Sequence, residues 1–125
     1  MPTTIPHRTI LIVEDEADLR AALARLLQTE GYGVEMACSV SEALESVNQH
    51  CPDAAIVDIH LFGRDGLALA KHLREHLGIK SPILILSADA QIETLCALSA
   101  AGVTHYLHKP VAAPVLLKCI SDHLG

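Results

Sequence analysis

The sequence predicts an α/β fold, a parallel sheet with helices on both faces. Five short, apolar, β-branched segments alternate strictly with helical ones. The first, third and fourth of these are continuous apolar runs, the pattern of strands buried on both faces. Glycines stand where three of the helical segments should stop. The 125 residues fit one domain, with a core over about residues 8–124 and a short leader over 1–7.

The first strand is predicted over Thr9–Val13. A helix follows over Asp18–Glu30, with Leu19, Leu23, Leu26 and Leu27 at helical spacing and Gly31 as its stop. Val34–Ala37 is the second strand. Ser39, with Glu42 three residues later, is a capping-box signature for a helix carrying Ala43, Leu44 and Val47. Ala54–Val57 is the third strand. Leu69, Leu73 and Leu77 mark the third helix, stopped by Gly78. Ile83–Leu86 is the fourth strand, and Ile92–Ala101 the fourth helix, closed by Gly102. Thr104–Leu107 is the fifth strand. Pro114 suits the first turn of a fifth helix that runs to about Leu124.

Composition excludes several function classes. Half the residues are hydrophobic and 19% are charged, which argues against disorder. The longest strongly apolar strand-like runs, Ile10–Val13 and Ile83–Leu86, have four residues each, far below the ~18 that a membrane span requires. Met1–His7 does not read as a signal peptide. The net charge of −6 and the lack of a basic patch argue against direct nucleic-acid binding. Tyr32, Phe62 and Tyr106 are too few for a stacking platform. Cys38, Cys51, Cys96 and Cys119 form no Cys-x-x-Cys, so they read as reduced thiols of a cytoplasmic domain.

In sheets of this kind the ligand crevice lies beyond the carboxyl ends of the strands. The first strand ends in Glu14-Asp15, the third in Asp58, the fourth in Ser87 and the fifth in Lys109-Pro110. The second ends in Ala37-Cys38, which offers no obvious chemistry. Three carboxylates at one edge are costly unless cations join them. Lys109 supplies one positive charge. A hard divalent ion would supply the rest, and Mg²⁺ favours a few carboxylates plus phosphate oxygens.

These residues sit in the segments ILIVEDE (Ile10–Glu16), DAAIVDIHLFGRDG (Asp53–Gly66), ILILSAD (Ile83–Asp89) and AGVTHYLHKP (Ala101–Pro110). In order and spacing the chain resembles the receiver domain of two-component response regulators, including the chemotaxis receivers. The resemblance implies a flavodoxin-like (βα)5 fold with strand order 2-1-3-4-5. It implies that Asp58 is the phosphoacceptor, taking a phosphoryl group from a phosphohistidine of a sensor histidine kinase or phosphotransfer protein. Asp15 would bind Mg²⁺ directly, Glu14 through water, and Asp58 and the backbone carbonyl of His60 would add further oxygens. Ser87 would hydrogen-bond the phosphoryl group and Lys109 would pair with one of its oxygens. The Lys109-Pro110 peptide is expected to be cis. Ser87 and Tyr106 would form the switch, and Gly66 matches the glycine at the start of the third helix. His60 and Asp89, each two positions past a site residue, would tune dephosphorylation.

The chain departs from the common pattern at Glu14, where aspartate is more frequent, and at Phe62, where many members have proline. His105 and His108 flank Tyr106-Leu107 without an evident further ligand and read as surface variation. A phosphatase of the haloacid dehalogenase type would need an aspartate where His60 stands. The alternative is a degenerate receiver that only binds partners, but such proteins usually lose the acceptor, an acidic residue or the lysine. No output module is present up to Gly125, so the chain reads as a stand-alone regulator or as a receiver with an output domain beyond residue 125. Met1 and its short leader favour a regulator with downstream output over a receiver appended behind a kinase. From Thr94 to Leu107 there is no formal charge. The face of the fourth helix, fifth strand and fifth helix is therefore expected to make an apolar contact, such as a homodimer enhanced by phosphorylation.

Overall fold

The computed structural model describes residues 8–61, 64–88 and 102–124. Its elements are β1 (Thr9–Val13), α1 (Ala17–Thr29), β2 (Gly33–Ala37), α2 (Val40–Gln49), β3 (Ala54–Asp58), the two-residue strands β4 (His60–Leu61) and β5 (Arg64–Asp65), α3 (Gly66–Glu75), β6 (Ile83–Ser87), β7 (His105–His108) and α4 (Ala113–Leu124). The predicted helix Ile92–Ala101 lies outside the described residues.

The main sheet is parallel throughout, in the order β2-β1-β3-β6-β7. Counting only its own strands, that is 2-1-3-4-5, the predicted order. Each buried strand divides its residues between the two faces, because successive side chains alternate. Leu11 and Val13 of β1 join Val57, Leu69, Leu73, Ile83 and Ile85 in the core beneath α2 and α3. Ile10 and Ile12 join Leu23, Leu27, Ile56, Leu84, Leu116 and Ile120 beneath α1 and α4. β3 and β6 are buried at every residue, whereas the edge strands β2 and β7 are only partly covered. The continuous apolar runs therefore mark the central strands.

The helix ends follow their local chemistry. α1 closes through Gly31 at φ +92, with the Gly31 and Tyr32 N–H groups donating to the Gln28 and Leu27 carbonyls. At α2 the Glu42 N–H donates to Ser39 Oγ at 3.2 Å. The Glu42 carboxylate reaches one residue further back than a simple capping box, accepting the Cys38 N–H at 3.0 Å.

Two expectations are corrected, and one feature was not anticipated. Leu77 is not part of α3 and is 37% exposed. The chain turns through Gly78 (φ +65), the Ile79 N–H donates to the Leu73 carbonyl, and Ile79 takes the buried position instead. The last strand runs over His105–His108 rather than Thr104–Leu107, because Thr104 is used at its start, where its Oγ1 accepts the Ile83 N–H at 3.1 Å. The segment after Asp58 contains a small antiparallel ladder, His60 opposite Asp65 and Leu61 opposite Arg64. Two residues per strand are too few to leave a periodic signal.

Arg74, near the end of α3, holds the loops at the amino end of the sheet. Its Nη1 donates to the carbonyls of Ile79 and Ser81 at 2.7 Å each, its Nε to the Gly102 carbonyl at 2.9 Å, and its Nη2 to Thr104 Oγ1 at 3.1 Å. One planar fork thus fixes the approaches to β6 and β7 together. Arg74→Ala should lower unfolding stability by about 2–3 kcal/mol, since it removes charge-assisted hydrogen bonds and leaves carbonyls without their donor. Arg74→Lys should recover less than half, because an ammonium cannot span the same carbonyls. Urea denaturation of the three proteins measures both, and full recovery by lysine would contradict the fork.

Candidate functional site

The parallel register ends β1, β3 and β6 nearly level, with Val13 opposite Val57 and Asp58 opposite Leu86. Polar side chains appear where the apolar runs stop. Glu14 and Asp58 are 1% and 6% exposed, Ser87 is also buried, and Asp15 is half-buried. Carboxylate oxygens of Glu14, Asp15 and Asp58 all lie within 4.8 Å of one another.

Lys109 enters from beyond β7. Its N–H donates to the Ser87 carbonyl at 2.8 Å, and its peptide bond to Pro110 is cis, as expected. The ammonium lies 3.1 Å from Glu14 Oε1 and 3.3 Å from Asp58 Oδ1. Burial works to lower the Lys109 pKa, but its hydrogen bond with Glu14 and the Asp58 and Glu14 charges outweigh it and hold the group above its ordinary value. Glu14 responds oppositely. Burial, followed by the neighbouring Asp58 charge, pushes its carboxyl up to about 7, against the Glu16 N–H and Lys109, which favour the ionised form.

The rest of the site is built from backbone. The His60 N–H points at Asp58 Oδ1 at 3.3 Å, while its side chain is exposed. The Gly66 N–H donates to the Ile59 carbonyl at 2.7 Å. A Cβ at position 66 would overlap the Asp58 carbonyl oxygen and stand 2.9 Å from Ile59 Cα. Gly66 is thus more than a turn residue, since only glycine lets α3 begin this close to the strand end that carries Asp58.

The structure brings Glu14, Asp15, Asp58 and Lys109 together and sets Ser87 on the adjoining strand end. Tyr106, in β7, is half-buried against the core beneath α2 and α3. Asp89 and Phe62 lie outside the described residues. Arg20 was not legible as a site residue. Its Nη1 donates to the Glu14 carbonyl at 2.8 Å and ties α1 to the end of β1. Its only local signal was a position six residues beyond Glu14 on the first helix.

Three carboxylates facing one ammonium suit a hard cation held by oxygen. In chelator, Glu14 binds a proton more readily in the fold than in the unfolded chain between pH 4.5 and about 7. The wild type should therefore lose stability relative to Glu14→Gln as pH rises through that window, by on the order of 3 kcal/mol in all, and lose no more above it. Chemical denaturation at stepped pH measures this. A relative gain over the same window would contradict it.

The chain is similar to known proteins both in sequence and in fold. The family model "Response regulator receiver domain" matches residues 10–121. The chain is 40% identical over 108 residues to the response regulator MprA of Mycobacterium leprae, covering 86% of the chain and 47% of that protein. It is 34% identical over 116 residues to the sensory/regulatory protein RpfC of Xanthomonas campestris, covering 90% of the chain but 16% of that protein. The chain thus spans less than half the length of these two relatives. Its fold superposes on the chemotaxis protein CheY4 of Vibrio cholerae with a TM-score of 0.90 at 30% identity, covering 95% of this chain and 100% of that one.

Proposed function

The chain belongs to the response regulator receiver family of two-component signalling, and from that premise we propose that it is a phosphorylation switch whose acceptor is Asp58. The carrying observation is the Asp58 carboxylate, buried at the end of β3 with an ammonium 3.3 Å away and two further carboxylates beside it.

In the proposed reaction an Asp58 carboxylate oxygen attacks the phosphorus of a phosphohistidine. A P–O bond forms and the P–N bond breaks. The departing imidazole keeps the electron pair of that bond and takes up a proton, leaving an aspartyl phosphate. Lys109 pairs with a phosphoryl oxygen as Asp58 gives up its charge, and the Ser87 hydroxyl donates to another. Glu14, Asp15 and Asp58, with the His60 carbonyl, are the residues proposed to hold Mg²⁺. When bound, that ion supplies positive charge for the phosphoryl oxygens. Their clustered oxygens and the excess of carboxylates over ammonium support this. Ser87 and Tyr106 are the proposed switch pair, and His60 and Asp89 the proposed determinants of how fast water removes the phosphoryl group.

The proposed donor is a sensor histidine kinase or phosphotransfer protein, and the proposed location is the cytoplasm. Among the described residues no helix is long and apolar enough to cross a membrane. An output domain beyond residue 125 is proposed to read the switch, and the MprA and RpfC relatives, each longer than this chain, support it.

Treatment with acetyl phosphate and Mg²⁺ should add one phosphoryl group by mass to the wild type, and none to Asp58→Asn or in excess chelator. Labelling that persists in Asp58→Asn would refute the acceptor.

The face of the predicted helix Ile92–Ala101, which lies outside the described residues, together with β7 and α4, is proposed as an apolar contact between two copies, strengthened by phosphorylation. Val115, 53% exposed on α4, supports it. Sedimentation should show more dimer after phosphorylation and little change with added salt. A monomer in every condition, or a dimer dispersed by salt, would exclude this mechanism.

A further inference from the structure

At the end of β7 away from Lys109, three metal-ligating side chains of another kind converge. His105 is the first residue of β7. Cys119 and His123 stand four apart on α4, one above the other on a single helix face. A ring nitrogen from each histidine and Cys119 Sγ all lie within 4.8 Å of one another. The two rings are tilted by 58° with centroids 5.6 Å apart, so they are not stacked. The three residues line a cavity of about 420 Å³ together with Leu107, Val115 and Asp122. Cys119 is a free thiol and is buried, whereas His105 is exposed. Among the described residues none of the three side chains makes a hydrogen bond or ion pair. Asp122 is already held by Lys118 at 3.2 Å.

We propose that His105, Cys119 and His123 bind a zinc ion, with water or an external ligand in the fourth position. One thiolate and two imidazoles are a donor set that zinc favours and Mg²⁺ does not, so this site and the carboxylate cluster would sort metals by donor softness. Zn–N bonds of about 2.0 Å and Zn–S bonds of about 2.3 Å place tetrahedral donors roughly 3.5 Å apart. The site must therefore close by about an ångström, a movement the exposed His105 side chain can make by rotation. A bound ion would cross-link α4 to the strand residue next to Tyr106.

Cobalt(II) is an optical probe for such a site. Excess Mg²⁺ keeps the carboxylate cluster occupied, and an oxygen-only site gives no thiolate band. The chelator-stripped chain should bind one equivalent of Co²⁺ with a thiolate-to-cobalt charge-transfer band, and Zn²⁺ should displace it. Cys119→Ala should lose the band. His105→Ala, a change at an exposed position that leaves the core intact, should weaken Co²⁺ binding by at least about tenfold. Removing even an outer-shell partner typically costs that much. Zn²⁺ should raise the thermal midpoint of the wild type and not of His105→Ala. No thiolate band at saturating Co²⁺, a band surviving in Cys119→Ala, or unchanged affinity in His105→Ala would each overturn the proposal. Should Cys119→Ala fail to fold, the His105→Ala comparison decides.

Discussion

The structure depends on one ammonium group set against three carboxylates at the end of a buried sheet. Lys109 reaches Glu14 and Asp58 at 3.1 and 3.3 Å, and Asp15 completes the cluster. Carboxylates this deeply buried persist only where charge partners and hydrogen bonds compensate lost hydration. The His60 and Glu16 N–H groups and Lys109 supply part of that compensation. A single ammonium cannot neutralise three carboxylates, and the Glu14 carboxyl is held above its usual range first by burial and then by the Asp58 charge. The same excess of carboxylates suits the site to a cation.

The rest of the fold keeps these groups in place. The central strands are buried on both faces, so no polar side chain fits along them, and chemistry is confined to their ends. Gly66 lets α3 start against the Asp58 carbonyl, Arg20 fastens α1 to the end of β1, and Arg74 ties the loops at the opposite end of the sheet. A shift of β7 relative to β6 would move Lys109 away from its partners. The Lys109 N–H to Ser87 carbonyl hydrogen bond opposes such a shift at the residue where it matters most.

β7 also connects two clusters of side chains with metal-ligating donors. Lys109 follows its carboxyl end, and His105 begins it, roughly 13 Å away along an extended strand. One end faces hard oxygen donors, and the other faces a thiol and imidazoles. Tyr106 lies between them in sequence, with its side chain against the core.

Local pattern alone carried the alternating architecture, the buried central strands, the helix stop at Gly31, and the placement of Glu14, Asp15, Asp58, Ser87 and Lys109 at strand ends. Side-chain alternation, glycine's tolerance of positive φ and charge at strand ends are local properties, legible from neighbouring residues. The strand order and the residue roles came from resemblance rather than from the pattern itself. Folding alone decided that Ile79 rather than Leu77 is buried, that Gly66 is required by the Asp58 carbonyl, and that Arg74 joins the segments leading into β6 and β7. It alone put Lys109 against Glu14, 95 positions away, and His105 beside Cys119 and His123. Such meetings depend on strand register and on how a helix seats against a sheet edge, and neither is encoded in the spacing of residues along the chain.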